Sequence, residues 1–387
     1  MKLSHDSDTL EDFLDNYQLK SFHLTESNTA FLKKVYDMLF IANKQPMSNI
    51  KEFFPSSSVD NSVLFDDSLK HLNDDIKIGY NKRFDFEFKI GTRQFRLHMF
   101  FPNAAIKTQC VAQCKKHLKF IYCWFFVANT IAQTDYAKEL TLTITFSHHK
   151  KRKPNKDDTF DSVHVNTAYT YACREKTNIS IFRKEEWFKV LIHETFHSMG
   201  MDFVCMDNSQ IERQISKLFP VKQHDIRVYE TYCEMWAEIL NILFISFFAT
   251  RSKENYKLMT QKMNSMLVNE AHFSLFQMKK VLQHYDMTYI DLLENRKVYK
   301  ENTYVLSYYV LKGIMMSFLN TFIDWCVENN GSICFKRTDS NLRAFGALIE
   351  SLYKHPIFLK NIEQIQRMKS NNDFVNSTMR MSLYEMG

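Results

Sequence analysis

The residues with the clearest chemistry are His193, Glu194 and His197, set in the apolar run Leu191 to Gly200 as His-Glu-x-x-His. On a helix, residues four apart share a face, so His193 and His197 can aim their imidazoles at one point. Two imidazoles suit Zn²⁺, which accepts nitrogen ligands and imposes no geometry of its own. Glu194, one residue past the first ligand, can reach a water beside the metal without displacing it. Zinc lowers the pKa of that water, and the glutamate takes its proton. The pattern points to metal-assisted hydrolysis, above all of a peptide bond. A plainer reading of the same residues is an amphipathic helix whose two histidines are satisfied by core hydrogen bonds.

The elements that must position these groups follow from the flanks. Glu185, Glu186 and Trp187 are expected to open the helix, with the acidic residues in the first turn, where the dipole favours them. Phe188, Ile192, Phe196 and Met199 follow at helical spacing and should face a core. Gly200 can end the helix.

A catalytic zinc site takes three protein ligands and keeps one position open. Asp202 and Asp207 lie soon after the motif, although Asp202 falls just past the helix-ending glycine. A second helix is predicted over Asp225–Phe248. It carries Glu230, Glu234 and Glu238 four apart, a carboxylate stripe on one face. Tyr229, Tyr232, Met235, Trp236 and Ile239 leave little of that helix for water.

These two segments resemble the gluzincin pattern of thermolysin-like and neprilysin-like peptidases. The metzincin reading fails: Gly200 matches its glycine, but Phe203 stands where its third histidine belongs. Arg183 to His197, together with Glu230 to Ala237, is similar to zinc metallopeptidases of large DNA viruses, over roughly residues 139 to 250. The resemblance implies a zincin-like α+β core and a gluzincin-type site; the motif's own chemistry leads to the expectation of one catalytic Zn²⁺ and a peptide or protein substrate. Carried over residue by residue, His193, His197 and Glu230 would bind the metal, Glu194 would be the general base, and Glu234 would hold a ligating imidazole through its other nitrogen. The register one turn later, with Glu234 as ligand and Glu238 behind it, stays open. The gap from His197 to Glu230 is longer than the family's and implies an inserted segment. An alternative is a catalytically inactive zincin scaffold acting as a binding or virion-structural protein. A zinc hydrolase acting on a non-peptide amide is another.

The whole chain sets the frame. Its 387 residues are 45% hydrophobic, with 34 Phe but only 7 Gly and 6 Pro, which argues against disorder and against a turn-rich all-β fold. The expected class is α+β and helix-dominated, with a small mixed sheet before the motif helix and a helical C-terminal part. The expected division is an N-terminal helical segment over 1–60, a catalytic core over 61–250 and a helical region over 251–387. A net charge of +6 does not call for nucleic acid. The eight Cys show no Cys-x-x-Cys spacing, which favours free thiols in a reducing compartment. No apolar leader opens the chain, and the runs Phe120 to Ala128 and Ile239 to Ala249 are too short to span a bilayer. An intracellular protein without a membrane span is therefore expected, in host cytoplasm or virion if viral.

Taken in order, helical patterns near Thr9–Leu19 and Asn28–Ile41 precede a polar break at Pro55 to Ser58. Phe84, Phe86, Phe88 and Ile90 alternate with polar residues, as do Phe95, Leu97, Met99 and Phe101 after Gly91-Thr92, which predicts a hairpin. Residues 104–133 read as a helix that buries Cys114, Leu118, Ile121, Phe125 and Ala128, and Glu139 to Phe146 as a strand. The basic run His148 to Pro154 reads as a solvated loop. Val163–Tyr171 and Asn178–Arg183 read as short strands. In zincin folds the sheet's edge strand lines the cleft, and a substrate can add to it; Asn166, Thr167 and Ala168 lie in the candidate edge. Beyond residue 254, helical segments are predicted over 254–282, 303–328 and 339–370. Tyr308, with Tyr304 and Tyr309, opens the second of these and is the candidate for stabilising an oxyanion.

Overall fold

The computed structural model describes residues 2–17, 22–53, 76, 78–221, 226–250 and 252–386. Pro55 to Ser58, Leu19 and Asp225 lie outside them. The chain divides into two units. One, the sheet unit, comprises residues 33–150 and 166–201; the other, the helical unit, comprises 1–32, 151–165 and 202–387. The class is α+β, helix-dominated, with one mixed sheet.

Alternation of large apolar side chains builds the centre of the sheet unit. β2 (Lys82–Ile90) and β3 (Arg93–Phe101) pair antiparallel, with Phe88 opposite Phe95 and Phe86 opposite Leu97. Gly91, at φ +58°, makes the turn between them. Parallel to β3 runs β4 (Glu139–Thr145), and parallel to β4 runs β6 (Lys176–Ile181). β1 (Lys51–Phe53) lies on one edge and β5 (Ala168–Thr170) on the other. The predicted strand over Val163–Tyr171 is thus only three residues long, because Ser162–Val165 is a helical turn. A long helix, Lys107–Ile131, connects β3 to β4 and buries all five predicted core positions. Its Phe125 stacks on Phe95 at 4.5 Å between ring centres.

In the helical unit, Val228–Ala249 forms the central helix, and nearly every residue of it is buried. Among the described residues it is the one single helix long and apolar enough to cross a membrane. Its burial within the protein and its three buried glutamates make it a core element instead. Tyr256–His284 packs beside it. The helix predicted over 303–328 is interrupted twice. Leu306–Leu311 is a π turn leading into Lys312–Ser317, and Leu319–Asn329 follows after a 91° bend. Likewise the pattern over 339–370 divides into Asp339–Leu352 and Pro356–Gln366, since Pro356 cannot continue a helix but starts one well.

Two expectations need correction. The basic run is not a solvated loop throughout. Lys151 is buried, Lys153 N–H donates to the Ser377 carbonyl at 2.8 Å, and Arg152 bridges Thr378. An extended segment, Thr378–Met386, covers these residues with its own side chains almost wholly buried. The cysteines are not all free either: Cys173 and Cys205 are each disulfide-bonded, while Cys110, Cys114, Cys123, Cys233, Cys326 and Cys334 are free thiols.

Candidate metal centre

The motif helix spans Trp187–Ser198 in the sheet unit, and every residue of it is buried. It begins two residues later than expected, at Trp187 rather than Glu185. Glu186 precedes it in a left-handed conformation at φ +58°, and the first turn holds no acid. Glu185 instead stands 3.7 Å from Lys150. At the other end, Met201 N–H donates to the Phe196 carbonyl at 2.8 Å and Gly200 N–H to that of His197 at 3.2 Å. This pair of bonds closes a helix when the intervening residue is left-handed, and Gly200 has φ +59°. A Cβ there would lie 2.7 Å from the Tyr136 ring, so both the backbone and the packing require glycine.

Packing fixes the helix from behind. Phe188, Ile192, Phe196 and Met199 are buried as the spacing predicted. Trp124 Nε1 donates to Thr195 Oγ1 at 3.0 Å, and that hydroxyl donates to the Leu191 carbonyl at 2.6 Å. Trp187 sits edge-on to His117 and Phe146. Burial in this aromatic setting, beside Lys116 and Lys184, pushes the His117 imidazole down to about 3, so it stays neutral.

On the other side of the helix, His193 and His197 converge. Their Nε2 atoms are 3.0 Å apart, with the rings at 75° to one another. Two Zn–N bonds of about 2.0–2.1 Å at a tetrahedral angle would hold such nitrogens about 3.3 Å apart. The observed pair is within a few tenths of an ångström of that, so these residues fit a zinc ion. The same distance suits a hydrogen bond between one protonated and one unprotonated imidazole. Glu194, between them in sequence, is 8% exposed.

Asn166, Thr167 and Ala168 lead into β5 at the sheet's edge in this same unit. The Thr167 carbonyl accepts from Phe182 N–H at 3.0 Å. The side-chain oxygens of Asn166 and Thr167 are buried and have no hydrogen-bond partner among the described residues.

The helical unit holds Glu230, Glu234 and Glu238, at 6%, 3% and 0% exposure. Its Lys312 bonds Glu238 Oε1 at 2.6 Å and stands 3.9 Å from Glu234 Oε2. The other acids near the motif have structural partners. Buried Asp202 accepts from Cys233 Sγ at 3.3 Å, and exposed Asp207 accepts from Ser209 N–H at 3.0 Å, beside the start of Ser209–Leu218. The Ser209 hydrogen bonds hold the Asp207 carboxyl below its ordinary range. Phe203, at the metzincin position, packs against Phe335 at 4.4 Å. Tyr308 is buried in the π turn, with Tyr304 edge-on to it and Arg227 over the Tyr304 ring. Tyr309 is occupied: its hydroxyl donates to the Met379 carbonyl at 2.6 Å.

Sequence reasoning overlooked Lys312 and the Trp124–Thr195 bond. The first had a signal, since Lys312 is the only charged residue between Glu301 and Asp324. A lone charge in such an apolar stretch is buried and needs partners. Nothing in the sequence pairs Trp124 with Thr195, which are 71 residues apart. The chain matches no family model, no curated protein and no solved structure.

Proposed function

We propose that this chain is a zinc-dependent metallopeptidase with a zincin-like core. The observation that carries the reading is the convergence of His193 Nε2 and His197 Nε2 on one buried point, with Glu194 beside them on the same helix. His193, His197 and Glu230 would hold the metal. Zinc bound there would supply a Lewis acid that polarises the scissile carbonyl and acidifies a water.

The chain's own groups would do the rest. Glu194 would take the proton from the attacking water and deliver it to the departing amine. The outer edge of β5 offers backbone N–H and C=O groups to an extended peptide. The unpartnered oxygens of Asn166 and Thr167 support a polar ligand at the start of that edge. Tyr308 is the candidate donor to a developing oxyanion.

Glu194→Gln tests the mechanism, because it keeps the shape of the side chain and removes the base. It should bind zinc as the parent does and lose about 100- to 10,000-fold in peptide hydrolysis. Turnover at the parent rate in a zinc-loaded Glu194→Gln protein would rule out this role.

A further inference from the structure

The helical unit contains a cavity of about 240 Å³ that shares no residue with the candidate metal centre. Its walls come from Tyr256–His284, from Pro356–Gln366 and from the chain around the start of Tyr289–Leu293. The floor is apolar and closed: Leu275, Met278, Tyr289 and Ile365 are each no more than 2% exposed. The exposed side chains of Gln283, Thr288 and Gln366 complete the lining and mark the mouth. A deep apolar pocket with a few polar groups is the usual form of a small-ligand site. A cavity of about 150 Å³ holds benzene, so this one has room for an apolar body of about eight carbons.

The other end of the ligand follows from Lys279, which also lines the cavity. It is 9% exposed. Its Nζ donates to the Met368 carbonyl and lies 5.6 Å from the centre of the Phe276 ring. Among the described residues no carboxylate pairs with it. A buried ammonium has three N–H donors and normally an acidic partner. Lys312, buried in the same unit, has Glu238 for this purpose, and Lys280 has two carbonyl acceptors, of Val375 and Thr378. Lys279 has one carbonyl and a cavity. The charge beside it has the same sign: burial first, and the Lys369 ammonium second, lower the Lys279 pKa. The cavity wall is thus a desolvated positive charge beside an apolar pocket, which is complementary to an anionic head on an apolar body.

We propose that this cavity binds a small amphiphilic carboxylate, its chain of about eight carbons in the apolar pocket and its head on Lys279. The metallopeptidase reading can fail without it, and it without that reading.

The test is isothermal titration of the full-length chain with octanoate, octanol and octylammonium. Octanoate should bind about 10-fold or more tightly than octanol, and octylammonium more weakly than either. Lys279→Met, which keeps the apolar stem, should bring octanoate down to the level of octanol. Ile365→Phe fills the cavity and should abolish binding of both. Lys279→Gln and Ile362→Phe take their places if either variant loses the parent's circular dichroism. Equal binding of octanoate and octanol by the parent would overturn the proposal. So would a parent that binds no octanoate, and so would octanoate binding that persists unchanged in the folded variants.

Discussion

The chemistry assigned to single residues rests on what each can reach. His193 and His197 meet at 3.0 Å because their spacing puts both rings on one face of a helix fixed from behind. His197→Ala removes one of the two proposed imidazole ligands and should abolish stoichiometric zinc binding, as read by elemental analysis of the purified protein. An unchanged zinc content would remove His197 from the site. Trp124→Phe keeps the aromatic packing and deletes only the hydrogen bond to Thr195. It should cost about 1 kcal/mol in urea unfolding; no loss would mean that packing alone fixes the back of the helix.

At the scale of the element, the end of the motif helix gives the sharpest prediction. Gly200→Ala would force an L-residue to φ +59° and drive its Cβ to 2.7 Å from the Tyr136 ring. The expected loss is about 1–3 kcal/mol by urea denaturation, and a neutral result would contradict the assigned geometry. Elements whose signal is local were legible in the sequence. The β2–β3 hairpin showed in its alternation, and the Lys107–Ile131 helix in its five buried positions. The helix-ending Gly200 showed as a break after an apolar run. Elements set by distant contacts were not. Ser162–Val165 turned helical at the start of the predicted strand Val163–Tyr171, and the π turn at Leu306–Leu311 left no mark on hydrophobic spacing. The basic run appeared solvated because its cover, Thr378–Met386, lies more than 200 residues later in the chain. Of the candidate site, the three motif residues were legible from spacing alone. The pairing of Glu238 with Lys312 was not, since Lys312 comes from another helix.

The whole molecule carries ionisable groups that burial has shifted, and its stability should depend on pH accordingly. Glu301 accepts from Tyr299 Oη at 2.7 Å and Leu306 N–H at 2.6 Å, yet burial dominates and pushes its carboxyl from 4.5 up to about 8. Burial and the nearby Glu238 carboxylate raise Glu270 as well. Each holds a proton in the folded chain over a range where the unfolded chain has released it. Their contribution to stability is therefore complete below about pH 4.5, falls as pH rises, and is lost above about pH 8. Glu301→Gln, neutral at every pH, should flatten part of that decline in thermal melts between pH 5 and 8. A melting temperature with the same slope in parent and variant would show that Glu301 is ionised in the folded chain at neutral pH.

The most direct test of the central claim is the zinc content of the purified full-length chain, measured beside Glu194→Gln, His197→Ala and Glu230→Ala. The expected result is about one zinc per chain, retained in Glu194→Gln and lost in the other two. A parent chain that holds no zinc, even after refilling under mild conditions, would contradict it. The 3.0 Å contact between His193 and His197 would then be a hydrogen bond in a protein core.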